Sequence, residues 1–150
     1  MANTYSSILI HIVFSTKNRQ QWISETIRKR LYPYMGGIAR ENGFKALCIG
    51  GTDNHVHILL SLNPSINVAK AVQFIKGGSS KWIHETFPEQ KEFSWQEGYG
   101  AFSIGVSQID QTRKYIENQE THHKKVSFQD EYLEFLRKNN IDYDEKYVFG

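Results

Sequence analysis

The chain has 150 residues, with 18 Lys and Arg against 16 Asp and Glu and a net charge of +2. That length suits about one domain with a core that needs no disulfides; the single Cys48 excludes a disulfide framework within the chain and any cysteine-cluster zinc site. No apolar run approaches a membrane span, Met1–Tyr5 is no signal peptide, and one cysteine suits a reducing compartment, so a cytoplasmic protein with no membrane partner is expected.

The first element is a strand over about 6–15. Ile8, Ile10, Ile12 and Phe14 alternate onto one face; Ser7, Leu9, His11 and Val13 take the other. Ser24 can cap a helix running to about residue 42, with Ile27, Leu31, Met35 and Ile38 as its apolar stripe. Pro33 and Gly36-Gly37 predict a kink or break within it. Asn42-Gly43 stops it, a second strand follows over 44–49, and residues 50–54 turn into a third strand, most simply as an antiparallel hairpin. In that third strand, over about 52–60, His55, His57, Leu59 and Ser61 share one face. Val56, Ile58, Leu60 and Leu62 share the other, because successive side chains of a strand alternate.

Asn63-Pro64-Ser65 predicts the opening of a second helix, with the proline near its first turn and Val68, Val72, Ile75, Trp82 and Ile83 as its stripe. Lys76-Gly77-Gly78-Ser79-Ser80 should interrupt it, either as a bend offering Lys76 and Ser79 to phosphate or as a plain helix–helix junction. A loop over 88–93 leads to a fourth strand over about 95–104. Strand, helix, strand, strand, helix, strand is the split βαβ, ferredoxin-like order: an α+β fold with helices expected on the Ile/Val/Leu face and the histidine face left open. A third helix over about 108–122, a fourth over about 128–139 capped by Ser127, and a polar tail complete the chain. With no linker to divide it, 1–150 reads as one domain: a ferredoxin-like core over about 6–104, two helices over about 108–139 and a tail over 140–150.

The chemistry-bearing residues fall into two groups. Two neutral imidazoles at His55 and His57 can hold one divalent ion, and His11 lies on the same side if the strands are neighbours. Tyr115 and Gln119 are spaced i, i+4 and stack on one helix face, with His122 and His123 just beyond. Together they could form a phosphoryl-transfer site: a metal polarises a phosphate oxygen, the phenolate of Tyr115 attacks phosphorus, and Gln119 offers an amide oxygen as third ligand. Arg113 and Lys114 are cations expected to favour the phenolate, and with Lys17, Arg19, Lys76 and Ser79 they are candidate phosphate contacts. Each of these residues also has an ordinary reading, as a half-wet strand histidine, an amphipathic-helix tyrosine or a solvated charge, and spacing alone leaves both readings open.

The stretches 11–19 (HIVFSTKNR), 53–60 (DNHVHILL) and 114–123 (KYIENQETHH) resemble, in this order, the first strand, the His–hydrophobe–His strand and the nucleophile helix of the single-tyrosine HUH transposases of insertion sequences. The tail segments 127–132 and 144–148 are similar to the branch that includes domesticated, repeat-associated relatives. Gly50-Gly51-Thr52 departs from the Met-Pro pair that many relatives carry near the turn. The resemblance implies cleavage and rejoining of single-stranded DNA hairpins through a 5′-phosphotyrosine bond. It further implies a Mg²⁺ or Mn²⁺ cofactor and a homodimer, in which some relatives complete one subunit's histidine site with the other's tyrosine helix. The alternatives are a domesticated endonuclease of the same kind, a non-catalytic nucleic-acid-binding module on the same frame, and a simple metal hydrolase that would not need Tyr115.

Overall fold

A computed structural model describes residues 3–150. Its elements are β1 (Ile8–Ser15), α1 (Glu25–Glu41), β2 (Lys45–Gly51), β3 (His55–Leu62), α2 (Val68–Thr86), β4 (Gly100–Ile104), α3 (Ile109–Glu117), α4 (Gln119–His122) and α5 (Phe128–Lys138). The strands form one antiparallel sheet in the order β2-β3-β1-β4, the ferredoxin-like topology expected from the element order.

Alternation along the strands assigns the two faces. Ile12 and Phe14 of β1 and Val56, Ile58, Leu60 and Leu62 of β3 pack under α1 and α2. The α1 stripe of Ile27, Leu31, Met35 and Ile38 is buried against them, and Ser24 Oγ accepts from Ile27 N at 3.4 Å to start the helix. The expected break in α1 does not occur. Pro33 and Lys29 both face solvent, so the Lys29 carbonyl deprived of its intrahelical donor can be hydrated. The expected interruption of α2, whether as a phosphate-facing bend or as a helix–helix junction, is also absent. A Cβ on Gly78 would lie 2.8 Å from Ile38 Cδ1, so this glycine lets α1 and α2 approach each other. Helix α2 begins later than expected. Asn67 caps it by accepting from Lys70 N at 2.7 Å, while Asn63 closes a separate turn onto Ser65 N at 2.9 Å.

The fourth strand is shorter than expected. Trp95 makes only an isolated bridge to Thr16, and the ladder begins at Gly100. Between them the chain bows away from β1, held by the Lys76 ammonium, which donates to the carbonyls of Gln96, Glu97 and Gly98. The expectation of an open histidine face is overturned. Helices α3 and α5 cover it, with Ile116 against Cys48 and Leu59 and with Phe128, Tyr132 and Leu136 against Val13 and Phe102. His11, His55 and His57 are 3%, 0% and 0% exposed, because apolar stripes on the C-terminal helices need this face as their core.

Candidate active site and metal centre

The site is assembled from β1, β3, α3, α4 and α5. His55 and His57 project from β3 beneath the C-terminal helices, and His11 reaches them from β1. Helix α3 brings Tyr115. It seats on β2 at Gly50, where a Cβ would stand 2.2 Å from the Ile116 carbonyl oxygen. Arg113 pins the same helix by donating to Leu47 O at 2.9 Å. The single helix expected over 108–122 is broken at Asn118 (φ −97°, ψ 19°), and the chain restarts as the one-turn α4. His122 and His123 follow the break, and both reach Glu131 of α5.

Glu131 is the centre of the arrangement. Its Oε1 lies 2.9 Å from His57 Nε2, 3.1 Å from His123 Nε2 and 3.7 Å from His55 Nε2. Its Oε2 accepts from the Tyr115 hydroxyl and lies 3.2 Å from His122 Nε2. One donor atom each from His55, His57, His123 and Glu131 fall within 4.8 Å of one another. Gln119, 1% exposed, sits at the rim with Oε1 2.9 Å from His55 Nε2 and Nε2 donating to Tyr115 O at 3.3 Å.

The hydrogen bonds around the cluster leave lone pairs aimed at its centre. His123 Nδ1 faces the Val126 carbonyl, which can only accept, so Nδ1 carries the hydrogen and Nε2 keeps its lone pair. That Nε2 is buried and has no hydrogen-bond partner; its 3.1 Å approach to Glu131 lacks the direction of an N–H bond. His55 Nδ1 is 2.8 Å from Asn54 Oδ1, so with its hydrogen there the Nε2 lone pair faces the Gln119 oxygen. Lone pairs and a carboxylate converging in a buried space fit a divalent ion. Three imidazoles and one carboxylate suit manganese, nickel or zinc better than magnesium, which prefers oxygen.

Electrostatics keeps His55 and His11 neutral and the Glu131 carboxylate ionised. Burial, reinforced by His57, lowers the pKa of His55 to about 3 and that of His11 to about 3. Burial alone would raise Glu131, but the surrounding imidazoles of His123, His57 and His55 hold it well below the usual carboxylate range. Burial and then the Glu131 charge hold the Tyr115 phenol above its usual range. The expected cationic surroundings of Tyr115 are absent: Lys114 is exposed and Arg113 is turned to Leu47. Glu131 is the functional residue that sequence reasoning missed. Its signal was a carboxylate among Phe128, Tyr132 and Leu136 on the buried face of an amphipathic helix.

The candidate phosphate contacts divide. Lys17 and Lys114 are exposed. Arg19 donates to Phe149 O at 2.9 Å and lies over the Phe149 ring. Two expected contacts are engaged within the protein instead. Lys76 is spent on its three carbonyls, with burial lowering its pKa to about 8, and Ser79 is 0% exposed under the Trp95 indole N–H at 3.0 Å.

The four-stranded α+β fold and the family match together place the chain in the class of DNA-processing enzymes of transposase type. Residues 4–119 match the family described as "Transposase IS200 like", and the chain belongs to that family. It is 27% identical to the ISDra2 transposase TnpA of Deinococcus radiodurans over 114 residues, 73% of this chain and 81% of the relative. It is 26% identical to the transposase for insertion sequence element IS200 of Salmonella typhimurium over 125 residues, 79% of this chain and 81% of that one. Among solved structures it resembles a protein of Deinococcus radiodurans R1 described as a transposase, with a TM-score of 0.66 and 24% identity over 79% of this chain and 95% of that one. It also resembles a REP-associated tyrosine transposase bound to a REP hairpin, with a TM-score of 0.61 and 16% identity over 84% and 74% of the two chains. At those identities the structures support the shared fold. Among the described residues no helix is long and apolar enough to cross a membrane.

Proposed function

We propose that this transposase-family chain is a single-strand DNA transesterase that cuts and rejoins hairpin-flanked DNA through a covalent bond between Tyr115 and a 5′ phosphate. The observation that carries the reading is the convergence of the Tyr115 hydroxyl, His55, His57, His123 and Glu131 within one chain. Tyr115 is the nucleophile. Glu131 Oε2 holds its proton by accepting the hydroxyl hydrogen bond and orients the oxygen towards the cluster. His122, part exposed beside Glu131 and 3.5 Å from the Tyr115 hydroxyl, links that proton to solvent. His55, His57, His123 and Glu131 would hold a divalent cation, with the Gln119 amide oxygen beside His55 Nε2 as the further ligand expected from the sequence; between the two ions expected from the resemblance, the donor set favours Mn²⁺ over Mg²⁺. Such a cation supplies Lewis-acid stabilisation of charge on the scissile phosphate. Helices α3 and α5 exclude bulk water from the histidines. A 5′-phosphotyrosine conserves the energy of the broken phosphodiester, so a second 3′ hydroxyl can reverse the bond.

The DNA partner is a single-stranded hairpin, the kind of ligand held by the REP-associated neighbour. Lys17, Arg19, Arg113 and Lys114 are the phosphate contacts this reading retains. The protein acts in the cytoplasm as a homodimer that protects its unpaired sheet edges, although every group of the site comes from one chain. A domesticated endonuclease would use the same site.

The deciding experiment incubates the protein with labelled hairpin DNA and Mn²⁺ and looks for a denaturant-resistant adduct. Wild type should form one at Tyr115, and Tyr115→Phe should bind the DNA but form none. An adduct at any other residue, or cleavage by Tyr115→Phe, overturns the assignment.

A further inference from the structure

His11 stands diagonally across the β1–β3 ladder from His57, two residues along from its direct partner Leu59. Its Nε2 is 2.8 Å from His57 Nδ1 in a buried contact. Three aromatic rings fix its plane edge-on: Phe135 at 5.1 Å, Tyr115 at 6.2 Å and Phe102 at 6.5 Å between centroids. A histidine that ligates through Nε2 must carry its hydrogen on Nδ1, and an acceptor held at that nitrogen sets the tautomer and aims the ring.

Two of the three histidines in the cluster have such an acceptor: Asn54 Oδ1 for His55 and Val126 O for His123. His57 faces Glu131 with Nε2 as the others do, and its Nδ1 meets only a second imidazole. We propose that His11 is a positioning residue for metal binding: its Nε2 accepts the Nδ1–H of His57, which leaves His57 Nε2 free to ligate, and the His11 hydrogen resides on Nδ1. This rests on the metal-site reading above. It enlarges the working site to the first strand, where His11 touches no substrate and acts through His57.

The test compares His11→Phe, which fills the aromatic niche without an acceptor, with His11→Gln, whose amide oxygen restores one. Calorimetric titration with Mn²⁺ should show affinity about 10–100-fold weaker in His11→Phe, the usual cost of losing such a partner, and recovery to within a few-fold in His11→Gln. Nitrogen-15 NMR of the Zn²⁺-loaded wild type should show His57 with Nδ1 protonated and Nε2 not. Wild-type Mn²⁺ affinity in a folded His11→Phe, or a His57 metallated on Nδ1, overturns the proposal alone. A wild type that binds neither ion removes the metal-site reading and this proposal with it. Where His11→Phe fails to fold, the wild-type spectrum decides.

Discussion

Gly50→Ala should disable the enzyme from the far side of the nucleophile helix. The added Cβ would stand 2.2 Å from the Ile116 carbonyl oxygen, 2.9 Å from Ile116 Cγ2 and 3.0 Å from its carbonyl carbon. Two of these atoms are backbone, so no rotamer change relieves the clash. Restoring an ordinary contact requires α3 to lift from β2 by about 1 Å, and Tyr115 is the residue next to Ile116. A displacement of that size can cost about 100-fold in rate when a reacting group must sit in line with its target. The overpacking itself should cost about 1–3 kcal/mol. The assay is the rate of covalent adduct formation on saturating hairpin DNA, with circular dichroism to confirm the fold. Gly36→Ala serves as the control: its Cβ would meet nothing within 4 Å inside α1, so it should leave the rate unchanged and stabilise the helix by about 0.5–1 kcal/mol. A Gly50→Ala protein that forms adduct at the wild-type rate would refute the idea that close docking of α3 on β2 positions the nucleophile.

Two further outcomes follow from the buried cluster. Glu131→Gln keeps the shape but removes the charge among the imidazoles, so Mn²⁺ affinity measured by calorimetry should fall at least about tenfold while the fold persists; unchanged affinity would remove Glu131 from the ligand set. In EDTA, the protein should lose stability in acid. His55 and His11 have folded pKa values lowered from 6.5 to about 3, so the unfolded chain binds more protons between those values and stability rises with pH across that window. Moving from pH 6.5 to 4.5 should cost about 2 kcal/mol for each histidine, read by chemical denaturation at the two pH values; equal stability at both would mean that these rings are not held neutral.

The sheet was legible because strand alternation is a local property: the sets headed by His55 and Val56 separate by period two, and the structure keeps both on the expected faces. The family resemblance came from the same stretches, and the matched residues 4–119 confirm it. Burial of the histidine face was not legible. A histidine alternating with valine reads alike whether its side is wet or roofed, and the roof, α3 and α5, lies more than fifty residues away in the chain. The breaks expected at Pro33 and Gly78 failed for a similar reason. Propensity reports the local cost of a residue, whereas solvent at Pro33 and close packing against Ile38 at Gly78 decide whether the helix continues. Lys76 had the composition of a phosphate contact, and only the bowed chain between Trp95 and Gly100 supplied its three carbonyl acceptors.

Glu131 shows how fold and chemistry constrain each other here. A carboxylate almost wholly removed from water is tolerated only when opposite charge and hydrogen-bond donors surround it. Its place in the first turns of α5 supplies the positive end of a helix dipole, and Ser127 caps that helix by accepting from Asp130 N at 3.1 Å. His55 and His11 are poor counter-charges, because burial holds both neutral at ordinary pH. A divalent cation shared by His55, His57, His123 and Glu131 would resolve both difficulties. It would balance the carboxylate and engage the orphaned Nε2 of His123 without asking any buried imidazole to take a proton. On that argument the C-terminal helices would belong to the metal site itself, because they would complete the coordination set that the histidine strand begins.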